Sequence, residues 1–449
     1  MKTPIADFVR EYNRKGGVRL HMPGHKGKGP LGCEALDITE ITGADVLYSA
    51  DGIIVESENN AARLFGTAHT FYSTEGSTLA IKAMLAIATT SPNRERPLIL
   101  AARNAHKAFV YACALLDLEV EWLYPSSDGH FCACEITPAE LEAALGSLKK
   151  KPSAVYVTSP DYLGNILDIK GLAEICHKNA VPLLVDNAHG AYLGFLDKSM
   201  HPIALGADMC CDSAHKTLPV LTGGAYLHIS SSADKEFVEC ATQKLALFAS
   251  TSPSYLILQS LDLCNAYIEN GYRERLRELC EGLAQLKARL KAAGYNITGN
   301  EPLKIVIEAS GAFSGYDIAA HLSSRGIEVE LADRDFAVMM LTPENSDSDI
   351  SRLEDALLSF EGLNNAQTER KGAPHIEQAH KAMSIREAIF KKSEMIPIGE
   401  ASGRICAAPT VSCPPAVPIA VAGEIISASH VRALEYYNVE RICVIKNEK

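Results

Sequence analysis

Two stretches decide the fold: Val181-Pro182-Leu183-Leu184-Val185-Asp186-Asn187-Ala188-His189-Gly190 and Ala207-Asp208-Met209-Cys210-Cys211-Asp212-Ser213-Ala214-His215-Lys216-Thr217, the second followed by Gly223-Gly224. In each, a short apolar run stops abruptly at polar residues, the pattern of a buried parallel strand. Ligands of open α/β sheets bind outside the carboxyl ends of such strands. Asp186 at one strand end and Lys216 just past another can therefore face one crevice. Taken alone, such a pair is far more often just a helix cap and a solvated surface cation. The surrounding chain shifts that balance.

Upstream, strands and helices alternate. Leu98-Ile99-Leu100-Ala101 reads as a strand, Ala105 to Leu116 as a helix, Glu119 to Tyr124 as a strand and Pro138 to Leu148 as a helix. Ala154-Val155-Tyr156-Val157 and a helix from Leu172 to Lys178 lead to the strand that ends at Asp186. Repeated β-α units of this size predict a doubly wound, mostly parallel sheet. Its strand ends carry Arg103-Asn104-Ala105-His106 and Ser159-Pro160-Asp161-Tyr162. His106 can stack on an aromatic cofactor, or serve as an ordinary loop histidine.

Earlier still, a helix from Glu58 to Phe65 ends at Gly66, and Glu75-Gly76-Ser77-Thr78 opens a strong helix from Leu79. Small hydroxyl residues at a helix start are good caps, and the same free N–H groups make a phosphate site. A Lys, an Asp and a phosphate site together suit pyridoxal phosphate, whose aldehyde bonds a Lys and whose ring nitrogen pairs with an Asp. Residues 1–55 hold few periodic runs. His21-Met22-Pro23-Gly24-His25-Lys26-Gly27 is a dense turn, and its Pro and Gly deny the two histidines a shared helix face for a metal.

Downstream, Ser254 to Gly294 is amphipathic and helical, interrupted at Gly271. Strands at Leu303–Ile307, Ile327–Leu331 and Ala337–Leu341, with a helix from Tyr316 to Ser324, predict a smaller α/β domain. A polar stretch near Asn364–Gly372 precedes a last segment with a Pro-rich run at Cys413-Pro414-Pro415-Ala416. The expected division is an N-terminal segment 1–55, a large cofactor-binding domain with its linking helix 56–295, a small α/β domain 296–362 and a C-terminal segment 363–449.

Composition narrows the class. The 449 residues are 47% hydrophobic and 22% charged, with a net charge of -12, which excludes disordered and fibrous classes and the basic footprint of a nucleic-acid binder. Signal-peptide and membrane-span patterns are missing from the sequence. Thirteen scattered cysteines, with Cys132-x-Cys134 and Cys210-Cys211 lacking zinc spacing, read as reduced core residues of a cytoplasmic protein. No metal is expected.

With these pieces in order, the sequence resembles the ornithine/lysine/arginine decarboxylase family, pyridoxal-phosphate enzymes of the aspartate-aminotransferase fold (fold type I). The resemblance runs from His21-Met22-Pro23-Gly24-His25-Lys26-Gly27 to Pro414-Pro415 and is most specific at Ser213-Ala214-His215-Lys216 with Leu221-Thr222-Gly223-Gly224. It looks like the short form of the family, without an N-terminal receiver-like domain. The resemblance implies that Lys216 bonds the cofactor, Asp186 holds its ring nitrogen protonated and His106 stacks on its ring. Gly76, Ser77 and Thr78 would bind the phosphate with Ser213 and His215. His189 would also contact the cofactor, and Ser252, in Thr251-Ser252-Pro253-Ser254, would approach the phosphate across a dimer interface. Lys216, His106 and His215 are the catalytic set, and Glu330 the carboxylate that receives the substrate's distal cation.

The implied activity is decarboxylation of arginine or lysine, with ornithine also fitting, in a homodimer or higher oligomer. Three departures stand out: Glu75 where the family has Asn, Cys413-Pro414-Pro415-Ala416 where it has Tyr-Pro-Pro-Gly, and Ala422-Gly423-Glu424 where it has Pro-Gly-Glu. They keep open a paralogue that binds the cofactor without turnover. An aminotransferase or β-eliminating lyase is the other alternative, with Arg404 as the candidate arginine for the α-carboxylate.

Overall fold

Strands form where apolar runs are too short for helices, and each stops where polar residues begin. The computed structural model describes residues 1–90, 96–125, 130–365, 372–409 and 415–447. In chain order its first seven strands are β1 His69–Ser73, β2 Leu98–Ala102, β3 Glu119–Leu123, β4 Ala154–Thr158, β5 Leu183–Asp186, β6 Met209–Asp212 and β7 Ala225–Ile229. The chain groups into two units. The first comprises Met1–Asn93, Ser153–Ser159 and Ile169–Leu276, and the second Arg94–Pro152, Pro160–Asp168 and Arg277–Lys449.

In the first unit the strands lie in the order β1-β7-β6-β5-β4, with β4, β5 and β6 mutually parallel. β7 runs antiparallel to both β6 and β1. Every residue of β5 and β6 is buried, as expected of parallel strands covered on both faces. Helices expected from the sequence appear with shifted ends: Ile53–Phe65, Gly76–Ala88 and Ile169–Lys178. The stretch after Ser254 is indeed two helices, Tyr255–Glu269 and Tyr272–Ala292, parted near Gly271. A helix at Pro4–Lys15 was not expected, although Pro4 at its start and Gly16 at its end are its ordinary boundary signals.

Three helices of this unit meet at Asp262, whose carboxylate accepts the Ser57 hydroxyl at 2.6 Å and the Ala6 N–H at 3.0 Å. Burial pushes this carboxyl up to about 6, against the opposing pull of those bonds. A raised folded-state pKa stabilises most below the unfolded value of about 3.9, and the contribution is lost as pH rises through 6. Relative to Asp262→Asn, the parent should therefore lose about 1 kcal/mol between pH 5 and pH 7. Urea unfolding of both proteins at the two pH values measures this. A pH-independent difference between them would refute it.

In the second unit β2 pairs parallel with β3. A four-stranded antiparallel sheet follows, from β8 Asn296–Thr298, β9 Lys304–Glu308, β10 Leu331–Ala332 and β11 Phe336–Met340, in the order β10-β11-β9-β8. The strand expected over Ile327–Leu331 shrinks to β10, so that Glu330 stands just before it, its N–H donating to Val338 O at 2.9 Å. The C-terminal segment builds a two-stranded sheet from β12 Ser393–Pro397 and β13 Arg441–Ile445, with a core that includes Ile398, Ile426, Leu434 and Val444. Cys413 and Pro414 of the Pro-rich run lie outside the described residues, while Ala416 O accepts the Lys107 N–H at 2.8 Å. No helix among the described residues is long and apolar enough to cross a membrane.

Candidate active site

Asp186 is the last residue of β5 and is 2% exposed. Its Oδ2 accepts the Tyr156 hydroxyl at 3.1 Å, and its Oδ1 accepts the Ala188 N–H at 3.2 Å and the Cys211 thiol at 3.6 Å. Burial pushes this carboxyl up, opposed by the Lys216 cation and by its hydrogen bonds. A carboxylate so placed gains from any further cation brought against it. Lys216 sits on the one-turn helix Ala214–Thr217 that follows β6, with Nζ 3.0 Å from His189 Nε2. The two strand ends read from the sequence thus deliver Asp186, His189 and Lys216 to one place.

A second cluster forms at the start of the 13-residue helix Gly76–Ala88. The Ser213 hydroxyl donates to Ser77 Oγ at 2.8 Å. Gly224 O accepts both the His215 N–H at 3.1 Å and His215 Nδ1 at 2.9 Å, which places the ring proton on Nδ1. The Gly76 N–H donates to Gly223 O at 2.7 Å. Gly223 holds φ +99, and a Cβ there would meet Thr74 O at 2.9 Å, so a larger residue would break this approach. Thr78 is exposed on the same first helical turn. Free N–H groups and hydroxyls at a helix start are what a phosphate needs. Ser252 is exposed, its N–H donating to Ser250 Oγ at 3.1 Å.

The other two expected site residues belong to the second unit. His106 caps the helix Lys107–Leu116, its Nδ1 accepting the Ala108 N–H at 3.1 Å. Glu330 is half-buried and accepts the Tyr162 hydroxyl at 3.3 Å.

The family profile "Orn/Lys/Arg decarboxylase, major domain" matches residues 3–308, and "Orn/Lys/Arg decarboxylase, C-terminal domain" matches residues 364–444. The chain belongs to the Orn/Lys/Arg decarboxylase family. It is 31% identical over 465 aligned residues to an arginine decarboxylase of Bacillus subtilis, covering 96% of this chain and 92% of that one. Its fold matches lysine decarboxylase A from Pseudomonas aeruginosa with a TM-score of 0.81 at 17% identity, covering 99% and 80% of the two chains. A serine palmitoyltransferase from S. paucimobilis with bound PLP shares the fold more loosely, with a TM-score of 0.53 at 16% identity and coverage of 68% and 75%.

In this member of the Orn/Lys/Arg decarboxylase family, Glu75 accepts the Ser250 N–H at 2.6 Å. Its carboxylate thereby ties down the segment that leads to Ser252. Arg404, the candidate for an α-carboxylate, instead donates to Glu394 at 2.8 Å and to Ile445 O at 2.7 Å.

One network in this family member escaped the sequence reading. Asp212, fully buried at the end of β6, accepts from His201 Nε2 at 3.0 Å, His228 Nε2 at 3.2 Å and Asn187 Nδ2 at 2.7 Å. Burial would raise its carboxyl, but the two histidines outweigh that and hold it well below the usual carboxylate range. Asp212 thereby ties the turn that carries His189 to the strand end that carries Lys216. His201 and His228 have no local signature of this role, because the contacts arise from folding.

Proposed function

We propose that the protein is a pyridoxal-phosphate-dependent decarboxylase that releases carbon dioxide from arginine or lysine, with ornithine a third candidate, and leaves the corresponding amine. The observation that carries the reading is Lys216 Nζ, 3.0 Å from His189 and in the field of the buried Asp186. The names of the relatives support the substrate class. Arg404 being engaged by Glu394 removes the motive for an aminotransferase.

The residues present fit the cofactor. Gly76, Ser77, Thr78, Ser213 and His215 would hold its phosphate, with Ser252 contributing from a neighbouring subunit. Asp186, whose burial favours a cationic partner, would keep a proton on the ring nitrogen. His106 would cover the ring face. When bound, the cofactor supplies an electron sink for the pair left by the breaking Cα–carboxylate bond. Lys216 would bind it covalently and His189 would exchange a proton with Nζ.

Four large apolar side chains near the N-terminus, Val18, Leu20, Met22 and Leu31, are 85%, 90%, 63% and 83% exposed. A second copy of the chain covering them would explain their exposure, which supports a homodimer or higher oligomer. Free cysteines throughout the described residues support a reducing, cytoplasmic setting. The four-part division at residues 55, 295 and 362 is supported at its last boundary by the family match that begins at 364.

Glu330, with Tyr162 beside it, would receive the distal cation of the substrate. A fully buried charge loses roughly 3–5 kcal/mol when its partner is removed, and half exposure reduces that. Glu330→Gln should therefore lower kcat/KM about ten- to a hundredfold, at about 1.4 kcal/mol per tenfold, and leave cofactor absorbance unchanged. Steady-state kinetics on the preferred amino acid decide this. Activity within threefold of the parent would remove Glu330 from the specificity role.

A further inference from the structure

Asp186 lies between two parallel neighbours: β4 places Thr158 opposite it and β6 places Cys211 opposite it. Residues two apart on a strand share a face, so Tyr156 stands diagonally behind Asp186 on that face. Two residues advance a strand by about 6.6 Å, a span that a tyrosine side chain can cover. Tyr156 is 0% exposed, and its hydroxyl donates to Asp186 Oδ2 at 3.1 Å.

Packing alone does not call for this hydroxyl. β4 reads Ala154-Val155-Tyr156-Val157-Thr158, and a phenylalanine at 156 would bury the same ring. A buried tyrosine hydroxyl needs a partner, and the fold sends its proton to a carboxylate.

The Oδ1 atom of Asp186 accepts the Ala188 N–H at 3.2 Å and the Cys211 thiol at 3.6 Å. The thiol is a weak donor at longer range, and the N–H belongs to the backbone. Tyr156 is therefore the strong contact that a side chain of this sequence supplies. An ionised carboxylate accepts from all three donors, whereas a protonated one gives up an acceptor site to its own O–H. Burial pushes the carboxyl the other way, and the Lys216 cation and the Tyr156 hydroxyl oppose it. Donors on both oxygens also fix the plane of the group.

We propose that Tyr156 is a positioning residue for the reaction, its hydroxyl holding the Asp186 carboxylate charged and fixed in orientation for the cofactor's ring nitrogen. The inference rests on the reading of Asp186 as the partner of that nitrogen and extends it to the neighbouring strand. Tyr156 acts through Asp186.

The test compares two ligands on the full chain stripped of cofactor: pyridoxal phosphate and its 1-deaza analogue, in which C–H replaces the ring nitrogen. The parent should prefer pyridoxal phosphate. Tyr156→Phe should shrink that preference about tenfold, the scale of one hydrogen bond to a charged group. The loss should fall on pyridoxal phosphate alone, because an uncharged ring gains nothing from an ionised Asp186. In the cofactor-loaded variant, kcat should fall about tenfold with KM within about twofold, the pattern of an interaction used in the transition state.

Val157→Ala is the control for a loosened strand, since Val157 is fully buried and points to the opposite face of β4. It should lower stability and keep the parent's preference. Equal loss of both ligands in Tyr156→Phe, a preference within about twofold of the parent, or the same shift in Val157→Ala would each overturn the proposal. Asp186→Ala separates the two levels of the argument. If it loses the preference while Tyr156→Phe keeps it, the role of Tyr156 alone fails. If it keeps the preference, the reading of Asp186 fails and this inference with it.

Discussion

Lys216→Ala should lower decarboxylation by roughly three orders of magnitude or more, the scale on which removal of a covalent catalytic group acts. The substitution takes away the amine proposed to bond the cofactor and removes the contact made to His189 at 3.0 Å. Lys216 is half-buried on a one-turn helix, so the fold should survive. Borohydride reduction followed by peptide mapping gives an independent readout. In the parent the reduced cofactor should sit on Lys216, and in the variant no lysine should carry it. An adduct on another lysine of the parent would remove Lys216 from its role.

Asp186→Asn should cost roughly two to three orders of magnitude in kcat, within the range for loss of a positioned proton-holding group. Asparagine keeps the shape and can still accept the Ala188 N–H through its one oxygen, while its amide nitrogen would donate to the Tyr156 oxygen. It carries no charge, and so no longer favours a protonated ring nitrogen. Because the side chain is buried at the end of β5, solvent cannot replace the missing charge. Cofactor content and kcat should be measured together on the purified variant. Full cofactor loading with kcat within threefold of the parent would contradict the assignment.

The parts of this picture legible in the sequence are those carried by neighbouring residues. Leu183–Val185 and Met209–Cys211 announce β5 and β6 because parallel strands covered on both faces are apolar without a break. The polar residues that end them are the ones proposed for the site. The start of the helix Gly76–Ala88 was legible for the same reason, since helix-start signals are local, although Glu75 stands at its N-cap and no side chain caps it. The strand expected at Ile327–Leu331 mostly failed, because alternation over five residues does not guarantee a partner along the whole run. Its partner β11 pairs with just Leu331 and Ala332.

What stayed hidden depends on contacts far apart in sequence. Asp212 looked like an ordinary strand-end carboxylate until His201 and His228 were found on it. Asp335 and Tyr436 lie about a hundred residues apart, and no periodicity links them. The helix Pro4–Lys15 is a different kind of omission, because its boundary residues were present and the surrounding turn-rich stretch obscured them.

The central claim is that this chain removes carbon dioxide from a basic amino acid. It is tested most directly by incubating the purified, cofactor-loaded protein separately with arginine, lysine and ornithine and identifying both products. Carbon dioxide should appear in equal amount with the amine of one of these substrates, and neither should form with Lys216→Ala. Formation of a keto acid without carbon dioxide, or no turnover of any of the three by protein that carries the cofactor on Lys216, would contradict it.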